Sequence, residues 1–368
     1  MPRSLTDAVR SLLDAQHGVV TRAQLHAAGV SDRTIATWAR RERLIRVAPG
    51  CLVDSDCWSH ATAQQRHLMR LLGVQLSAPD SVARAVTSAI SWGLPTRSIP
   101  SKPEVIRGPD ASPLTSASVQ RRALDPDHIS RRRALATLSL AHTVVDVAAL
   151  VPLPDALITL DAALRRGLPR GQLQTALEQR GTFAGVDRAR SALAAGDPAA
   201  ESALESLSRG RVIELGLPLP LCNAVIRKGG RVARVDKLWV EDGVVGEADG
   251  KGKYSKENAS EVIWDEKRRH DWLEELGFAV PRWGWPEVAD DGAALERRYH
   301  RAVGKQRASG FRWPIGVTVG VPQPLGIELP PRVVAEVDRL ARAGYPVQIV
   351  AVPRWFGGSP ALWTPRSA

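Results

Sequence analysis

Cysteine is scarce in this chain, which has only Cys51, Cys57 and Cys222. These residues form no CxxC pair, and none lies at zinc-ligand spacing from a second cysteine and a pair of histidines. The 368 residues are enough for two or three domains that each bury a core of their own. Size therefore gives no reason for disulfides, and we expect reduced structural cysteines, as in a cytoplasmic protein.

Long apolar segments are also missing. No stretch of 18 consecutive apolar residues occurs anywhere in the sequence. The first twenty residues, MPRSLTDAVRSLLDAQHGVV, have the pattern of an amphipathic helix rather than of a signal peptide. The sequence thus predicts a cytoplasmic protein with no membrane partner.

Positive charge is plentiful instead. Lys and Arg number 50 against 39 Asp and Glu, which gives a net charge of +11 and an isoelectric point of about 10.2. Such an excess favours a polyanionic partner and says nothing about the fold. Because arginine-rich compositions are also basic without binding nucleic acid, a DNA partner has to be argued from motifs.

The first sixty residues predict a winged helix-turn-helix domain. An apolar face runs through LTDAVRSLLDAQ, and Thr21 with Gln24 predicts a capping box for a second helix. Ser31 can cap a third helix, SDRTIATWARRERL, whose inward positions are Ile35, Trp38 and Ala39. LIRVAPGCLV then reads as strand, turn and strand, the pattern of a wing.

The outward positions of the third helix and the wing predict DNA contacts. Arginines and threonines dominate there, and a recognition helix uses such side chains for phosphates and base edges. We expect DNA contacts from Arg33, Thr37, Arg40, Arg41, Arg43 and Arg46. The alternative is a solvated helix face in a domain that makes protein contacts only.

The N-terminal region resembles a known family. The run LLDAQHGVVTRAQLHAAGVSDRTIATWARRERLIRVAPGCLV, followed by a helix and SAISWGLP, is similar to the N-terminal winged-helix domain of AbiEi antitoxins over about the first 95 residues. This resemblance implies a transcriptional autoregulator that also neutralises a nucleotidyltransferase-like toxin. The implied partners are operator DNA and a cognate toxin protein, and a homodimer would suit an operator-binding protein.

Two segments follow the winged helix. Residues 61–139 predict a mixed α/β extension, with helices at 61–77 and 81–92 and then short strands that carry arginine-rich edges. Residues 140–196 predict a helical connector, since alanine- and leucine-rich helices are interrupted by proline and glycine. Asp146 and Asp161 read as helix caps or surface charges in this connector.

Carboxylates cluster in the pattern of residues 197–287. A helix carrying Glu201 is followed by three antiparallel strands, with Asp236 in the second strand and Glu247 and Asp249 at the end of the third. A further helix, SKENASEVIWDEKRRHDWLEELG, and a strand, FAVPRWGW, complete a mixed sheet.

This pattern predicts a metal-dependent hydrolytic site. Adjacent strands can bring Asp236 and Glu247 to one edge of the sheet, where they would hold Mg²⁺ or Mn²⁺ against a phosphate. Lys251 or Lys253 would orient or deprotonate the attacking water, and Asp249 or Glu201 would assist.

The order of motifs resembles the PD-(D/E)XK nuclease superfamily, and within it domains similar to very-short-patch-repair endonucleases. The shared elements are Glu201-Ser202, RVDKLW at 234–239, EADG at 247–250, EKRR at 266–269 and GFAVPRWGW at 277–285. The resemblance covers about 90 residues and implies metal ligation by Asp236 and Glu247. Asp249 stands where the family has its lysine, and Lys237 stands where an apolar residue is usual.

Residues 288–368 carry no such motif and predict a basic, partly irregular extension. Four tryptophans, Trp239, Trp264, Trp272 and Trp283, fall at positions that the pattern makes buried. The fold class expected for the whole chain is α+β and multidomain: a winged helix-turn-helix, a helical connector and a restriction-endonuclease-like α/β domain.

Two functions remain open from the sequence. The first is a DNA-binding endonuclease that uses Mg²⁺ or Mn²⁺ in DNA defence or repair. The second is a non-catalytic autoregulator of the antitoxin type, in which the C-terminal domain binds a protein partner.

Overall fold

The computed structural model describes residues 5–250 and 259–352. These residues form two compact units, which divide between Val147 and Ala148. Each unit is described by itself below. No helix in the described parts of the chain is long and apolar enough to cross a membrane.

Unit 1 begins with the element order of a winged helix. A three-stranded antiparallel sheet, in the order β1-β3-β2, is covered by three helices. The elements are α1 Asp7–Ala15, β1 Val19–Thr21, α2 Arg22–Ala27, α3 Asp32–Arg40, β2 Leu44–Ala48 and β3 Cys51–Asp54. Their core is a single apolar cluster, in which Trp38 is 1% exposed. Burying one large aromatic side chain in this way is a major source of stability for a small domain.

Local sequence signals explain where these helices begin. The capping box between Thr21 and Gln24 is confirmed, since each side chain bonds the other residue's backbone N–H. The Ser31 cap of α3 is confirmed as well, through the Thr34 N–H at 3.3 Å. The inward assignment of Ala39 is wrong, because Ala39 is exposed and only Ile35 and Trp38 of α3 reach the core.

The rest of unit 1 contains three α-helices and a five-stranded sheet, in the order β6-β5-β4-β8-β7. Its elements are α4 Ser55–His60, α5 Ala63–Ser77, β4 Val82–Ala83, α6 Ala85–Ser91, β5 Glu104–Arg107, β6 Ser118–Arg121, a short 3₁₀ helix Pro126–His128, β7 Ile129–Arg132 and β8 Leu135–Leu138. The helix predicted at 81–92 therefore begins only at Ala85. Val82 and Ala83 instead pair with Ile106 and Val105 of the sheet.

Five helices lead from unit 1 into the second sheet, and the chain divides between units within the first of them. They are α7 Leu140–Leu150, α8 Leu153–Arg165, α9 Arg170–Arg180, α10 Val186–Ala195 and α11 Ala203–Glu214. The connector predicted at 140–196 is helical, but α8 lies in the interior of unit 2. Ten residues of α8, Pro154 and the run from Ala156 to Leu164, are buried.

Two aspartates in these helices are not surface charges, and that prediction is wrong. Asp146 is fully buried and accepts two bonds from the Arg84 guanidinium, at 3.0 and 3.1 Å. Asp161 is also fully buried and pairs with Arg209 of α11 at 2.7 and 2.8 Å. Burial of a carboxylate is tolerated here because an arginine satisfies each one.

Unit 2 is built on a mixed six-stranded sheet in the order β12-β11-β10-β9-β13-β14. Its remaining elements are β9 Leu221–Lys228, β10 Arg231–Trp239, β11 Val244–Ala248, α12 Ala259–Glu275, β12 Arg282–Trp283, α13 Trp285–Val288, α14 Ala293–Ser309, β13 Thr318–Pro324, α15 Pro331–Arg342 and β14 Val347–Val352. The outer pairs, β11 with β12 and β13 with β14, are parallel, and the inner pairs are antiparallel.

This sheet continues beyond residue 287, where the sequence predicted that the nuclease-like domain ends. Thr318 to Gly320 of β13 pair with Arg227 to Val225 of β9, so β13 and β14 are integral strands. Val317, Val319 and Val321 share one buried cluster with β9, β10 and α12. Residues 288–352 are therefore part of the domain and not an appended, irregular extension.

Tryptophan burial differs at one position. Trp239, Trp272 and Trp283 are 6% exposed or less, as predicted. Trp264 is 62% exposed, with the Lys267 ammonium 5.6 Å from its ring centre. The prediction of a buried Trp264 is therefore wrong.

Candidate functional site

Asp236 and Glu247 are brought together where β10 and β11 separate. The two strands pair Lys237 with Gly246, so continuing the register by one residue sets Asp236 opposite Glu247. Asp236 Oδ2 accepts a bond from the Ala248 N–H at 2.7 Å. The opposite neighbour of β10 is irregular at the same level, because Asn223 of β9 has a left-handed φ of 49°. Irregular strands next to one another are a common way to aim polar side chains at a site.

Glu247 lies in an electrostatically unfavourable position for a carboxylate. Its side chain is 4% exposed, and no described residue donates a hydrogen bond to Oε1, which is buried. Burial and, after it, the nearby Asp236 carboxylate raise the pKa of Glu247 to about 7, against the lowering effect of Arg269. Such a perturbed carboxyl group beside a second acid is typical of functional sites.

Arg269 of α12 is the cation that balances this pair, and sequence reasoning did not single it out. Its Nη2 donates to Glu247 Oε2 at 2.7 Å, and its Nη1 donates to the Arg234 carbonyl at 2.6 Å. The guanidinium thereby ties α12 to both β10 and β11. The only signal for Arg269 in the sequence was its place in the EKRR run at 266–269.

Glu201 does not join the carboxylate pair. It precedes α11 rather than lying on it, since Ser202 caps that helix through the Glu205 N–H at 3.1 Å. Its carboxylate makes a two-pronged ion pair with Arg234 at 2.7 and 2.8 Å. Burial raises the pKa of Glu201, against the opposing effect of Arg234. Glu201 thus fixes the segment before α11 to β10.

Asp249 is likewise engaged by an arginine. Its two carboxylate oxygens accept bonds from Arg282 at 2.7 and 2.9 Å, and Glu266 lies 3.7 Å from the same guanidinium. Bidentate pairing of this kind is the preferred geometry between arginine and carboxylate. Lys251 and Lys253, the predicted catalytic lysines, lie outside the described residues.

The Lys237 side chain is bonded to α11 and not to the neighbouring Asp236. The side chain is fully buried, and its ammonium donates to the Glu205 carbonyl of α11 at 3.1 Å. The same ammonium lies 5.8 Å from the ring centre of Trp283. Its charge is therefore used to hold α11 on the sheet.

The donor set fits a hard cation held by two carboxylates and water. Among the described residues there is no group of three His, Cys, Asp or Glu side chains that could enclose a metal. Mg²⁺ however often binds through one or two carboxylates and keeps several waters. A divalent cation would bind the unsatisfied Oε1 of Glu247 and would reduce the repulsion between the Glu247 and Asp236 carboxylates.

A second candidate site is the basic face of the winged helix. Five arginines on α3, the turn after it and β2 are exposed, and no described residue forms an ion pair with any of them. They are Arg33, Arg40, Arg41, Arg43 and Arg46. Thr37 is partly exposed, and its hydroxyl donates to the Arg33 carbonyl at 2.8 Å.

The two helices of the helix-turn-helix are held together at their surface. Arg22 and His26 of α2 each approach Asp32 Oδ1 of α3, at 3.0 and 2.9 Å. Asp32 lies in the first turn of α3, where a negative charge also stabilises the helix dipole. This acidic residue is turned toward α2, so Glu42, exposed in the turn between Arg41 and Arg43, is the acidic residue that remains among the arginines of this face.

Comparison with known proteins identifies relatives in Mycobacterium tuberculosis. The chain is 32% identical over 276 residues to the uncharacterised protein Rv2248 of strain H37Rv and to its counterpart MT2308 of strain CDC 1551. The match covers 74% of this chain and 99% of each relative. The chain belongs to this mycobacterial protein family.

The N-terminal part also matches a described family. Residues 7–51 match the model of the family described as "Transcriptional regulator, AbiEi antitoxin". The match covers α1 to the first residue of β3 and includes all six predicted DNA-contacting residues. Among solved structures, the RV2827C protein of M. tuberculosis is similar at 17% identity and a TM-score of 0.35, over 60% of this chain and 85% of that one.

Proposed function

We propose that this protein is a DNA-binding transcriptional regulator of the AbiEi antitoxin type and that its winged helix binds operator DNA. The observation that carries the proposal is the exposed arginine face of α3 and β2, which has no carboxylate partner among the described residues. Cations that are not neutralised within the protein are available to the phosphates of a duplex. The match of residues 7–51 to the regulator family supports the same function.

The proposed docking places α3 in the major groove. Arg33 and Thr37 lie one helical turn apart on α3, so they can face base edges together. Arg40, Arg41 and Arg43 follow at the C-terminal end of the helix and would contact phosphates. Arg46 of β2 extends the contact toward the wing.

This function is tested by a gel shift on the DNA upstream of the protein's own gene. We expect the full chain to bind this DNA and Arg40→Ala/Arg41→Ala to bind it about tenfold more weakly, because each lost phosphate contact lowers affinity at physiological salt. The matched control is Arg297→Ala/Arg301→Ala, which removes two exposed arginines from α14. Equal loss in both variants would contradict a dedicated recognition helix.

The proposal extends to two further partners. A regulator of the antitoxin type implies a cognate toxin protein, which unit 2 would bind. A homodimer would present two recognition helices to a two-fold operator, as helix-turn-helix proteins commonly do. Copurification of the full chain with the product of a neighbouring gene, and its mass in solution, test these two points.

A second candidate function is metal-dependent phosphodiester hydrolysis at Asp236 and Glu247. The specific observation in its favour is the unsatisfied, buried Oε1 of Glu247 beside the Asp236 carboxylate. These two residues would hold Mg²⁺ or Mn²⁺, which would act as a Lewis acid on a phosphoryl oxygen. Arg269 holds the Glu247 carboxylate in place, and Asp249 and Glu201 are held by their own arginines.

Hydrolysis is tested with supercoiled plasmid in the presence of Mn²⁺ or Mg²⁺. We expect metal-dependent nicking that falls at least about a hundredfold in Asp236→Ala and in Glu247→Gln, because each variant removes a ligand charge. Asp271→Ala, an exposed acid on α12, is the matched control and should leave the rate unchanged. Calorimetric Mn²⁺ binding that is unaltered in both site variants would rule out this site.

A further inference from the structure

The hairpin between β9 and β10 is a second basic surface, in unit 2 and separate from the winged helix. Gly229 and Gly230 form its two-residue turn, and both have left-handed φ values, of 54° and 78°. This is the geometry of a type I′ turn, which fits the twist of a tight hairpin. The tip is therefore well defined in shape rather than a loose loop.

The charges at this tip are all positive. Arg227, Lys228 and Arg231 flank the turn, and residues 227–232 are all exposed. The segment IRKGGRVAR contains no acidic residue. Among the described residues, the only carboxylate within 4.0 Å of these three cations is Glu275, at 4.0 Å from Arg231 with both side chains more than half exposed. Such a distant, solvated pair neutralises little charge.

Arg231 is held in place by packing. Its guanidinium carbon lies 5.0 Å from the ring centre of Trp272, a buried residue of α12. A guanidinium over an aromatic face is attracted to it and loses part of its freedom before any ligand binds. Next to it, Val232, which pairs with Arg227 across the hairpin, exposes 59% of its surface.

The hairpin and the carboxylate pair share strand β10, since both Arg231 and Asp236 belong to it. Asp236 follows Arg231 by five residues of β10, which is roughly 17 Å in an extended strand. Among the described residues, β11 pairs with β10 only from Lys237 to Trp239, so the hairpin end of β10 extends beyond the site. Phosphate charges recur about every 3.4 Å of helix axis along each strand of a DNA duplex, so a span of ~17 Å accommodates several of them.

We propose that the β9–β10 hairpin binds the phosphate backbone of DNA through Arg227, Lys228 and Arg231 and directs the strand toward Asp236 and Glu247. The inference rests on the proposed DNA-binding function and assigns to unit 2 a DNA contact of its own. The recognition helix then provides sequence selection, and the hairpin provides a contact that is independent of sequence.

The experiment uses the full chain and a fluorescent duplex of about 30 base pairs with random sequence. Binding is measured by anisotropy over a range of KCl concentrations, for wild type and for Arg40→Ala/Arg41→Ala. Two triple variants are then made in the Arg40→Ala/Arg41→Ala protein. The hairpin variant is Arg227→Ala/Lys228→Ala/Arg231→Ala. The charge-matched control is Arg297→Ala/Arg301→Ala/Lys305→Ala, on the exposed face of α14. Thermal unfolding establishes that every variant is folded.

We expect the hairpin variant to bind about tenfold more weakly and its salt slope to fall by about 2 to 3, since each phosphate contact contributes roughly 0.9 to the slope. The control should change neither quantity appreciably. Equal effects of the hairpin and control variants, or no effect of the hairpin variant, would overturn the inference. DNA binding by wild type in the same experiment would still support the proposed function. Absence of binding by wild type would overturn both.

Discussion

At the scale of single residues, Glu247 is the most informative side chain. It is a buried carboxyl group whose pKa is raised to about 7 by burial and by Asp236, although Arg269 contacts it at 2.7 Å. The sequence predicted that Asp236 and Glu247 meet, because residues at the ends of adjacent strands are neighbours in register. It did not predict that Asp249 and Glu201 are engaged by Arg282 and Arg234, since these partners are 33 residues away in each case.

The raised pKa of Glu247 makes a prediction about stability. The folded state holds the proton up to about pH 7, whereas an unfolded glutamate, with its ordinary pKa of 4.5, releases it at lower pH. Between these values the folded state binds more protons, so the free energy of unfolding falls as pH rises. Glu247→Gln should remove this fall and be more stable than wild type above pH 7, by about 3 kcal/mol.

Urea unfolding at pH 5 and pH 8, followed by tryptophan fluorescence, measures this difference. Asp271→Ala is the control for loss of an exposed acid. A pH dependence that is the same in Glu247→Gln and wild type would show that Glu247 ionises normally. Addition of Mn²⁺ at pH 8 should stabilise wild type more than Glu247→Gln if the carboxylate pair binds the cation.

At the scale of elements, the sequence located the winged helix, the hairpin of β9 and β10 and α12, because each has a strong local signal such as a cap, a Gly-Gly turn or a helical period. It missed β13 as part of the sheet. Pro322 and Pro324 make that segment read as irregular, yet β13 pairs with β9 only from Thr318 to Gly320. Both prolines thus lie where β13 has β14 alone as a neighbour, which is where strands tolerate proline.

The attachment of α8 to α11 gives a second stability prediction. Asp161 and Arg209 are buried at 0% and 2% exposure and form the ion pair that joins these helices. Asp161→Asn should destabilise unit 2 by about 3 to 5 kcal/mol, because it removes the carboxylate charge that accepts two bonds from the buried Arg209 guanidinium. Asp187→Asn is the matched control, since the Asp187–Arg190 pair on α10 is 90% and 63% exposed and worth about 0.5 kcal/mol.

Chemical unfolding of the Asp161→Asn and Asp187→Asn variants measures how much the Asp161–Arg209 pair contributes to the free energy of unfolding. Replacement of both partners by apolar residues, Asp161→Leu/Arg209→Met, should recover much of the loss, because no uncompensated charge then remains. If Asp161→Asn and Asp187→Asn are equally stable, the buried pair does not hold α8 in place.

At the scale of the whole molecule, the chain combines an N-terminal segment similar to AbiEi antitoxin regulators with a second unit that carries a carboxylate pair and a basic hairpin. Linking two weak DNA contacts in one chain raises the local concentration of the second once the first is bound. This effect requires no fixed arrangement of the two units. The net charge of +11 is thus concentrated, in part, on two surfaces that suit the same polyanion.

The central claim is that the winged helix is a DNA-binding element, and the most direct test is the affinity of the full chain for duplex DNA as a function of KCl concentration. We expect a steep decrease of affinity with salt in wild type and a slope shallower by about 2 in Arg40→Ala/Arg41→Ala, since two phosphate contacts are lost. Identical slopes in wild type and variant, or an affinity that does not respond to salt, would contradict it.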